Sequence, residues 1–541
     1  MQTETLWRGD TIELPAAFEL PPGEAFSVHV EAPDGLAARL FWVRPVKAYI
    51  GRNGDWNNSA LKEYVPDILW ESLPESVPAD GLLRLWLRVA APKNAVPGVH
   101  TVSLHIACTG QTQIRNFQLR VVDLTLPEGG FSLELWQYPY TAARYYGVPA
   151  EELFGQEHCG LLRGHLRLYN QAGGDILTCT ICEDPWNSQT FDPYPSMVKW
   201  TRRADGSFVF DYTHFDAWIN LAEDCGLTGA IKCFSLLPWG NRLRFWDEQS
   251  GKELVIAPKP GSREWRRIFG AFLADFIAHL DANGRFSRTY IALDERPAPA
   301  MRHALRLVSR YVNADGNPLK ISCAVNSLRR GRRLFARFDD VSMEQKQVPR
   351  KGRSLRKIIT KRRENGQLTT LYNCVGDYPG SFARSLPEES AWAVWYALAQ
   401  GMDGFLRWAL DAWVGDPLTD ISYKFWESGD PFFIYPAAHA ADSPLSLRDS
   451  PPAERAAPRS GVGSPPRESP RFAMLSQGVR DVRKARYLLE YGSAETRDKL
   501  KELLENMRRP NGKINAYGAK EGTEESAKQV LADLRSLRDA L

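Results

Sequence analysis

Strand-like and helix-like patterns alternate from residue 131 to about residue 436 of this 541-residue chain, and this alternation limits the fold more than any other feature. Eight apolar, β-branched runs read as buried strands; they are residues 131–137, 175–181, 229–234, 288–294, 319–325, 338–342, 367–374 and 403–408. Helix patterns lie between most of them, at residues 151–172, 213–226, 263–281, 299–314, 350–363 and 387–401. Eight such units predict a (β/α)8 barrel. A doubly wound sheet is the alternative, but the sequence lacks its usual glycine-rich phosphate motifs.

The regions on either side of the barrel have different patterns. Residues 1–126 alternate apolar and polar positions in short runs punctuated by proline and glycine, which predicts a β-sandwich domain. Residues 437–470 are a low-complexity insertion rich in proline, alanine and arginine, which we expect to be disordered. Residues 471–541 have helical spacing and predict C-terminal helices that pack on the barrel. The predicted fold class is therefore multidomain β plus α/β: a β-sandwich, a (β/α)8 barrel at 131–436 and a helical tail.

Charge and hydropathy exclude several classes of partner. The chain has 68 Lys+Arg against 65 Asp+Glu, a net charge of +3, whereas nucleic-acid binding needs a concentrated basic face. The basic residues within 350–363 fit a solvated helix face. No apolar run is long enough to span a membrane. The N-terminus lacks the basic and apolar segments of a secretion signal, so we expect a cytoplasmic chain, or a secreted or periplasmic one if a signal has been trimmed.

Neither cysteine nor histidine spacing predicts a metal site. Cys179 and Cys182 form a CxxC, but it lies in a strand-like run and no second CxxC accompanies it. His158 and His165 are seven residues apart on a predicted helix, which is a weak zinc pattern. We therefore predict neither a metal nor a cofactor.

Asp294 and Glu295 end the fourth predicted strand, where an apolar run meets two adjacent carboxylates, Arg296 and Pro297. Pro297 should end the strand, because proline has no N–H to continue its hydrogen bonding. Two acids at the end of a buried strand cost free energy unless they are paired or used. They could cap a helix or pair with Arg296, but paired carboxylates also carry out glycoside hydrolysis. Asp294 and Glu295 are therefore the candidate catalytic residues.

Polar and aromatic residues follow other predicted strands at the face where barrel active sites form. Tryptophan or tyrosine follows five of the eight strands, and such rings can stack on sugars. Together with the acids they predict a sugar-binding cleft. Its candidate substrate-binding residues are Trp136, Tyr138, Trp186, Trp239, Arg296, Tyr372, Asn373, Arg407, Trp408 and Asp411. Trp408 is the predicted floor of the sugar site, and Arg407 should face the opposite way if the strand stays regular.

Seven segments together resemble the DUF4091-type glycoside hydrolases, which are related to glycoside hydrolase family 123. They are Leu135-Trp136-Gln137-Tyr138-Pro139, Asp184-Pro185-Trp186, residues 210–216, Leu237-Pro238-Trp239, residues 292–297, residues 403–409 and residues 429–436. The stretches Asp294-Glu295-Arg296-Pro297 and DGFLRWA at 403–409 are the most specific of these. The resemblance extends from the predicted sandwich to the tail.

The resemblance implies a β-sandwich before a (β/α)8 barrel and exo-hydrolysis of β-linked N-acetylgalactosamine, so a glycan or glycoside is the expected partner. It further implies a retaining, substrate-assisted mechanism in which Glu295 is the acid/base and Asp294 orients the 2-acetamido group. Adjacent acids fit that mechanism, because a conventional retaining pair needs carboxyl groups on opposite sides of the bond, about 5–5.5 Å apart.

Two other functions remain open at this point. The chain could hydrolyse glycosides of a different, non-acetamido sugar, or it could be a catalytically silent carbohydrate-binding protein. The intact Asp294 and Glu295 count against the silent protein. The sequence departs from the resemblance after Pro436, where the insertion 437–470 replaces a short loop.

Overall fold

The computed structural model describes residues 3–51, 61–327, 332–348, 352–424, 426–437, 465–508 and 524–541. Within these residues two β-sheets are followed by a parallel barrel and then by C-terminal helices. This arrangement confirms the predicted fold class. Of the helices described, none combines the length and the apolar character needed to traverse a bilayer.

The N-terminal part consists of two four-stranded sheets that share apolar cores. Its strands in chain order are β1 Thr3–Arg8, β2 Thr11–Glu19, β3 Phe26–Glu31, β4 Ala37–Tyr49, β5 Lys62–Trp70, β6 Leu82–Ala90, β7 Gly98–Cys108 and β8 Gln111–Thr125. The sheets have the orders β1-β8-β7-β3 and β2-β6-β4-β5. Leu87 and Val89 on β6 pack in one core with Val102 on β7, because residues two apart on a strand share a face.

The barrel contains the eight strands that the sequence predicts. They are β9 Ser132–Leu135, β10 Leu177–Thr180, β13 Ile231–Phe234, β16 Thr289–Asp294, β17 Lys320–Val325, β18 Asp340–Glu344, β19 Leu368–Tyr372 and β20 Gly404–Arg407. Their order is β10-β13-β16-β17-β18-β19-β20-β9, and all neighbours are parallel. A parallel bridge between Leu133 and Gly174 brings the two edges together, so the barrel is nearly closed.

Helices alternate with the barrel strands. They are α1 Pro139–Tyr146, α2 Gln156–Gln171, α3 Thr213–Asp224, α4 Arg263–Ala282, α5 Ala298–Val308, α6 Arg332–Phe335, α7 Gly352–Glu364 and α8 Pro387–Ala399. The Ser262 side chain caps α4 by accepting a hydrogen bond from Trp265 N, which satisfies a free N–H of the first turn. Helix α6 was not predicted, because four residues are too short to show a helical period.

A small sheet that the sequence did not reveal lies beside the barrel. Its strands are β11 Lys199–Arg202, β12 Phe208–Asp211, β14 Leu243–Asp247 and β15 Lys252–Ile256, in the order β12-β11-β14-β15. Trp200 stacks on Phe272 of α4 with ring centroids 4.8 Å apart, and Phe210 packs edge-on to the same ring. These strands of four or five residues are short enough to read as loop, which is why the pattern did not identify them.

The C-terminal helices pack on both the barrel and the sandwich. After the paired strands β21 Ile434–Tyr435 and β22 Arg467–Glu468 come α9 Pro470–Tyr491, α10 Ala494–Arg508 and α11 Glu524–Arg538. Gly478 of α9 lies so close to α8 that a Cβ there would be 2.8 Å from Ala391 Cα. Arg471 of α9 forms two hydrogen bonds, of 2.8 and 2.7 Å, with the buried carboxylate of Asp67 in the sandwich.

The predicted insertion 437–470 is described only at its two ends. Residues 438–464 lie outside the described residues, so the expected disorder of that stretch stays a prediction. The other end is structured: Glu468 accepts hydrogen bonds of 2.6 and 2.8 Å from Arg88 of β6. The chain therefore returns to the sandwich before α9 begins.

Candidate active site

Asp294 and Glu295, which we call the mouth pair, lie at the carboxyl end of β16. Neighbouring strands hold this end on both sides, and Glu295 N donates to Ala324 O of β17 at 3.2 Å. Glu295 has a φ of 45°, a left-handed conformation that is rare outside glycine. The backbone therefore turns between the two acids, and their carboxyl groups have different hydrogen-bond partners. Strained residues of this kind cluster at functional sites.

Asp294 accepts a hydrogen bond from the Trp239 indole, with Nε1 2.9 Å from Oδ2. Burial raises the pKa of Asp294 to about 8; the Glu295 carboxyl adds to the rise and the Trp239 bond opposes it. Burial raises the pKa of Tyr138, and the charges of Asp294 and Asp411 add to the rise. The Tyr138 hydroxyl is buried and has no hydrogen-bond partner among the described residues.

Glu295 accepts hydrogen bonds from two side chains on other parts of the barrel, one at the end of β19 and one just after β17. The Tyr372 hydroxyl at the end of β19 donates to Oε1, and the Asn326 amide after β17 donates to Oε2 at 2.8 Å. Burial raises the pKa of Glu295, and the Glu344 charge adds to the rise, while Tyr372, Asn326 and Lys346 oppose it. The raised pKa suits a carboxyl group that must carry a proton near neutral pH.

The hydrogen bonds that the structure gives the mouth pair come from neutral groups. Arg296, the cation next in sequence, instead donates to the Trp239 carbonyl at 3.0 Å and to Asn241 Oδ1 at 2.9 Å. Its side chain therefore fixes the Trp239 loop, and its charge also lowers the pKa of Asp294 without a direct hydrogen bond. Two carboxyl groups without a bonded cation in a partly buried site have a high proton affinity, which is the electrostatic condition for acid/base chemistry.

Trp136, Tyr138 and Trp186 form a buried aromatic cluster. Trp136 and Trp186 stack with ring centroids 5.3 Å apart, and Tyr138 lies 5.4 Å from Trp186. Trp136 and Trp186 are 3% and 1% exposed, so they lie under the surface of the substrate-free barrel. Trp239 is partly exposed. The predicted contact of these four residues with a sugar stays a prediction.

Arg407 and Trp408 both contact Asp430, and the expectation that they face opposite ways applied only to a regular strand. Arg407 Nη1 lies 2.8 Å from Asp430 Oδ1, and Trp408 Nε1 donates to Oδ2 at 2.8 Å. Strand β20 ends at Arg407, so strand alternation no longer holds at the next residue. Arg407 also donates to the Asn373 carbonyl at 3.3 Å. The Asn373 side-chain amide is buried without a hydrogen-bond partner among the described residues.

Asp411 is buried, and its carboxylate bonds two groups on different elements of the barrel. Its Oδ1 accepts from Tyr138 N at 2.8 Å, and its Oδ2 lies 2.7 Å from Nδ1 of the buried His165. Asp411 therefore joins the end of β9 to α2. His165, considered above only as a weak zinc candidate, is a partner of this carboxylate, and its predicted companion His158 bonds Pro139 O at 2.9 Å instead.

Several residues of the site were not predicted from the sequence. Asn326 follows β17 and Glu344 ends β18, and the rule applied to the other strand ends would have included both. Glu344, Cys374 and Asp377 have potential metal-ligand atoms within 4.8 Å of one another. The Lys346 ammonium group already pairs with one of these side chains, with Nζ 2.5 Å from Glu344 Oε1. A lysine ammonium there supplies the positive charge that a metal ion would bring.

A parallel eight-stranded barrel with two adjacent carboxyl groups at the end of its fourth strand is an arrangement suited to a barrel glycosidase. The model of the family described as "Glycoside hydrolase 123, catalytic domain" matches residues 136–451. The chain belongs to glycoside hydrolase family 123 and is an enzyme that hydrolyses glycosidic bonds.

One solved structure agrees with this assignment. A family 123 glycoside hydrolase from Clostridium perfringens, analysed for the details of glycolipid glycan hydrolysis, is 32% identical, with coverage of 100% of this chain and 93% of that chain and a TM-score of 0.89. A putative glycoside hydrolase from Bacteroides vulgatus ATCC 8482 is 11% identical over 79% of this chain and 75% of that chain, with a TM-score of 0.33, too low to bear on the fold. A search of curated proteins gives no match.

Proposed function

We propose that the enzyme removes terminal β-linked N-acetylhexosamine, of the N-acetylgalactosamine type, by a retaining, substrate-assisted mechanism. The observation that carries the proposal is the divergent environment of the mouth pair. Asp294 accepts a hydrogen bond from one neutral donor, the Trp239 indole, whereas Glu295 accepts hydrogen bonds from two, Tyr372 and Asn326. Adjacent acids in different environments can take different roles.

In the first step the acetamido oxygen of the substrate attacks C1 and the bond from C1 to the leaving oxygen breaks. Glu295 transfers its proton to that oxygen. Asp294 accepts the acetamido N–H and stabilises the positive charge that develops on the oxazolinium ring. No protein nucleophile is required, which is why the pair does not need carboxyl groups on opposite sides of the bond.

In the second step water attacks C1, its proton passes to Glu295 and the bond from C1 to the acetamido oxygen breaks. The β configuration is retained because two inversions take place. The pair must hold one proton when substrate binds, and the raised pKa of both carboxyl groups provides it. An acetamido N–H that bonds Asp294 stabilises its anion, which leaves the proton on Glu295.

The natural substrate class follows from the Clostridium perfringens relative, whose structure concerns glycolipid glycan hydrolysis. We infer that glycans of glycolipids ending in β-linked N-acetylgalactosamine are substrates here as well. A terminal sugar would sit over the mouth pair, where Trp239 and Trp408 are among the partly exposed aromatic side chains. An indole against the apolar face of a sugar contributes on the order of 1 kcal/mol, by analogy with other aromatic contacts.

Hydrolysis of a panel of nitrophenyl glycosides tests the proposal. We expect turnover of the β-N-acetylgalactosaminide, release of the β-anomer first by NMR, and inhibition by a thiazoline analogue of the oxazolinium intermediate. Turnover of sugars lacking the acetamido group, with no inhibition by the thiazoline, would assign a conventional glycosidase instead. Absence of turnover on every sugar, together with binding of glycans, would assign a silent carbohydrate-binding protein.

A further inference from the structure

Glu344 lies between the two residues that bond Glu295, and the mechanism above does not use it. Glu344 ends β18, and its Cα partner on β19 is Tyr372, whose hydroxyl donates to Glu295. On the other side of β18, the register with β17 ends one residue before Glu344 and Asn326, so these two residues follow at the same level. The Asn326 amide donates to Glu295 Oε2 at 2.8 Å. A buried acid is therefore the middle residue of a row whose two outer residues hold Glu295.

The Glu344 carboxylate is itself held in place by three side chains. Lys346 Nζ lies 2.5 Å from Oε1, and the Gln347 amide donates to Oε2 at 3.1 Å. The Cys374 thiol lies 3.8 Å from Oε1. Lys346 and Gln347 belong to the short helical turn Gln345–Gln347, which directly follows β18. The turn therefore brings the lysine back onto the acid that ends the strand.

Glu344 and Lys346 influence Glu295 through their charges. Burial raises the pKa of Glu295, the Glu344 charge adds to that rise, and the Lys346 charge opposes it. Burial lowers the pKa of Lys346, but the Cys374, Asp377 and Glu344 groups raise it by more, so Lys346 stays an ammonium group. Two opposite charges thus act on one carboxyl group, and loss of either charge leaves the effect of the other uncompensated.

Other acids lie near Lys346. Burial raises the pKa of Asp377 to about 7, and the Lys346 charge opposes this rise. Burial also raises the pKa of Cys374, which keeps it a thiol. The titratable and charged groups around the mouth pair and Glu344 are Arg296 on the strand side, Lys346 after β18, and Tyr372, Cys374 and Asp377 on β19 and the loop after it.

We propose that Glu344 and Lys346 are a positioning pair that keeps the proton on Glu295 in the pH range where the leaving oxygen must be protonated. The inference rests on the proposed function, in which Glu295 is the acid/base. Glu344 repels the anion of Glu295 and so favours its protonated form. Lys346 limits this repulsion, so that Glu295 can still give up its proton. A general acid works best when its pKa lies near the operating pH, which is the balance that two opposite charges can set.

The test is the pH dependence of kcat/KM for a β-linked N-acetylgalactosaminyl-galactose disaccharide. The rate falls on the alkaline side of this profile when the acid loses its proton. Glu344→Gln removes a negative charge and should move this alkaline limb to lower pH, whereas Lys346→Met removes a positive charge and should move it to higher pH. We expect each movement to be about 0.5–1.5 pH units, for one charge near a partly buried group. The double variant should lie between the two single variants.

Two controls distinguish charge from structural damage. Lys346→Arg keeps the positive charge and should leave the alkaline limb in place. Glu134→Gln makes the same change at a buried glutamate that pairs with Lys232 in this barrel, and it should leave the limb in place as well. A purely structural role would lower the melting temperature or kcat without moving the limb in opposite directions. Glu344→Gln keeps the shape of the side chain, so it decides the question alone if Lys346→Met does not fold.

The outcomes separate the positioning pair from the proposed function. If wild-type enzyme does not cleave the disaccharide, or if Glu295→Gln retains the alkaline limb of wild type, the proposed role of Glu295 fails and this inference fails with it. If Glu295→Gln loses the limb, but Glu344→Gln leaves it in place or moves it to higher pH, the positioning pair is refuted while the function stands. Movement of the limb in the same direction by Glu344→Gln and Lys346→Met refutes the pair in the same way.

Discussion

Two groups of acids occupy the same barrel, and they differ in how their charge is balanced. At the mouth, Asp294 and Glu295 are bonded by an indole, a hydroxyl and an amide, all neutral. Inside the barrel, Glu134 and Asp340 are bonded by the ammonium group of Lys232. The second group, which we call the interior cluster, has a cation between its two carboxylates.

The interior cluster joins strands that are not neighbours in the sheet. Glu134 is on β9, Lys232 on β13 and Asp340 on β18, so their side chains can meet only across the barrel interior. Lys232 Nζ lies 2.6 Å from Asp340, and the Trp136 indole donates to Glu134 at 2.9 Å. All three charged residues are at most 2% exposed.

The contrast shows that burial alone does not identify a catalytic acid. Burial raises the pKa of Glu134 as it raises that of Asp294, but Lys232 opposes the rise at Glu134. Burial lowers the pKa of Lys232, but the Asp340 and Glu134 carboxylates raise it by more, so the ammonium group stays charged. The interior cluster contains its own cation, whereas the hydrogen bonds to the mouth pair come from neutral donors.

The largest expected effect is on the mouth pair. Glu295→Gln should lower kcat for a disaccharide substrate by about 10²–10⁴-fold, because the amide cannot protonate the leaving oxygen. The loss should be smaller for nitrophenyl glycosides, whose leaving group needs little protonation. Steady-state kinetics on both substrates measure the difference.

Glu134→Gln is the matched control for Glu295→Gln, since it makes the same change at a buried glutamate of the interior cluster. It should lower the melting temperature and leave kcat per folded molecule near the wild-type value. A Glu295→Gln enzyme with a near wild-type rate on the disaccharide would remove Glu295 from the mechanism.

Removal of the Lys232 ammonium group from the interior cluster should lower the stability of the folded protein. Lys232→Met leaves Glu134 and Asp340 buried as like charges, and breaking a buried ion pair on one side costs about 3–5 kcal/mol. We expect a lower urea midpoint and melting temperature. Lys252→Met, at an exposed lysine of β15, is the control and should change neither. A Lys232→Met protein as stable as wild type would show that the cluster contributes nothing to the fold.

The sequence was sufficient for the barrel and for the position of its acids. Most of the predicted strands are rich in apolar and β-branched residues, a pattern that buried parallel strands produce, and single polar residues such as Glu134 and Lys232 do not hide it. The same reasoning identified Asp294 and Glu295, because two acids at the end of a buried strand cost free energy unless they are paired or take part in catalysis. Both inferences depend on residues that are close in sequence.

Contacts between distant residues could not be predicted in this way. Nothing near Glu134 in the sequence indicates that Lys232 and Asp340 would meet it across the barrel. The shared binding of Asp430 by Arg407 and Trp408 depends on a loop that returns over β20, and alternation within one strand cannot reveal it. Pairings of this kind are set by the closure of the barrel.

The second acid of the mouth pair should affect the rate more than binding. Asp294→Asn retains the shape but loses the negative charge that stabilises the oxazolinium, so we expect kcat to fall by about 10²–10³-fold, as for loss of a transition-state contact. The Michaelis constant should change much less. If only the Michaelis constant rises, Asp294 is a binding residue and the substrate-assisted mechanism loses its support.

The smallest expected effect is on the pH dependence of stability. The pKa of Asp294 is about 8 in the folded protein against an ordinary value of 3.8, so between these pH values the folded state binds more protons than the unfolded chain. The free energy of unfolding therefore falls through this carboxyl group as the pH rises from 3.8 to 8. Asparagine cannot ionise, so Asp294→Asn should raise the melting temperature by about 1–3 °C at pH 9 and leave it unchanged at pH 4.

An aspartate-to-asparagine substitution in the interior cluster should change the melting temperature in the opposite direction. Asp340→Asn removes a carboxylate that lies 2.6 Å from the Lys232 ammonium group, so it should lower the melting temperature at neutral and alkaline pH alike. Thermal unfolding of both variants across the pH range measures the two effects side by side. If Asp294→Asn were destabilising at pH 9, the folded protein would favour the ionised form of Asp294, and the mouth pair would be balanced like the interior cluster.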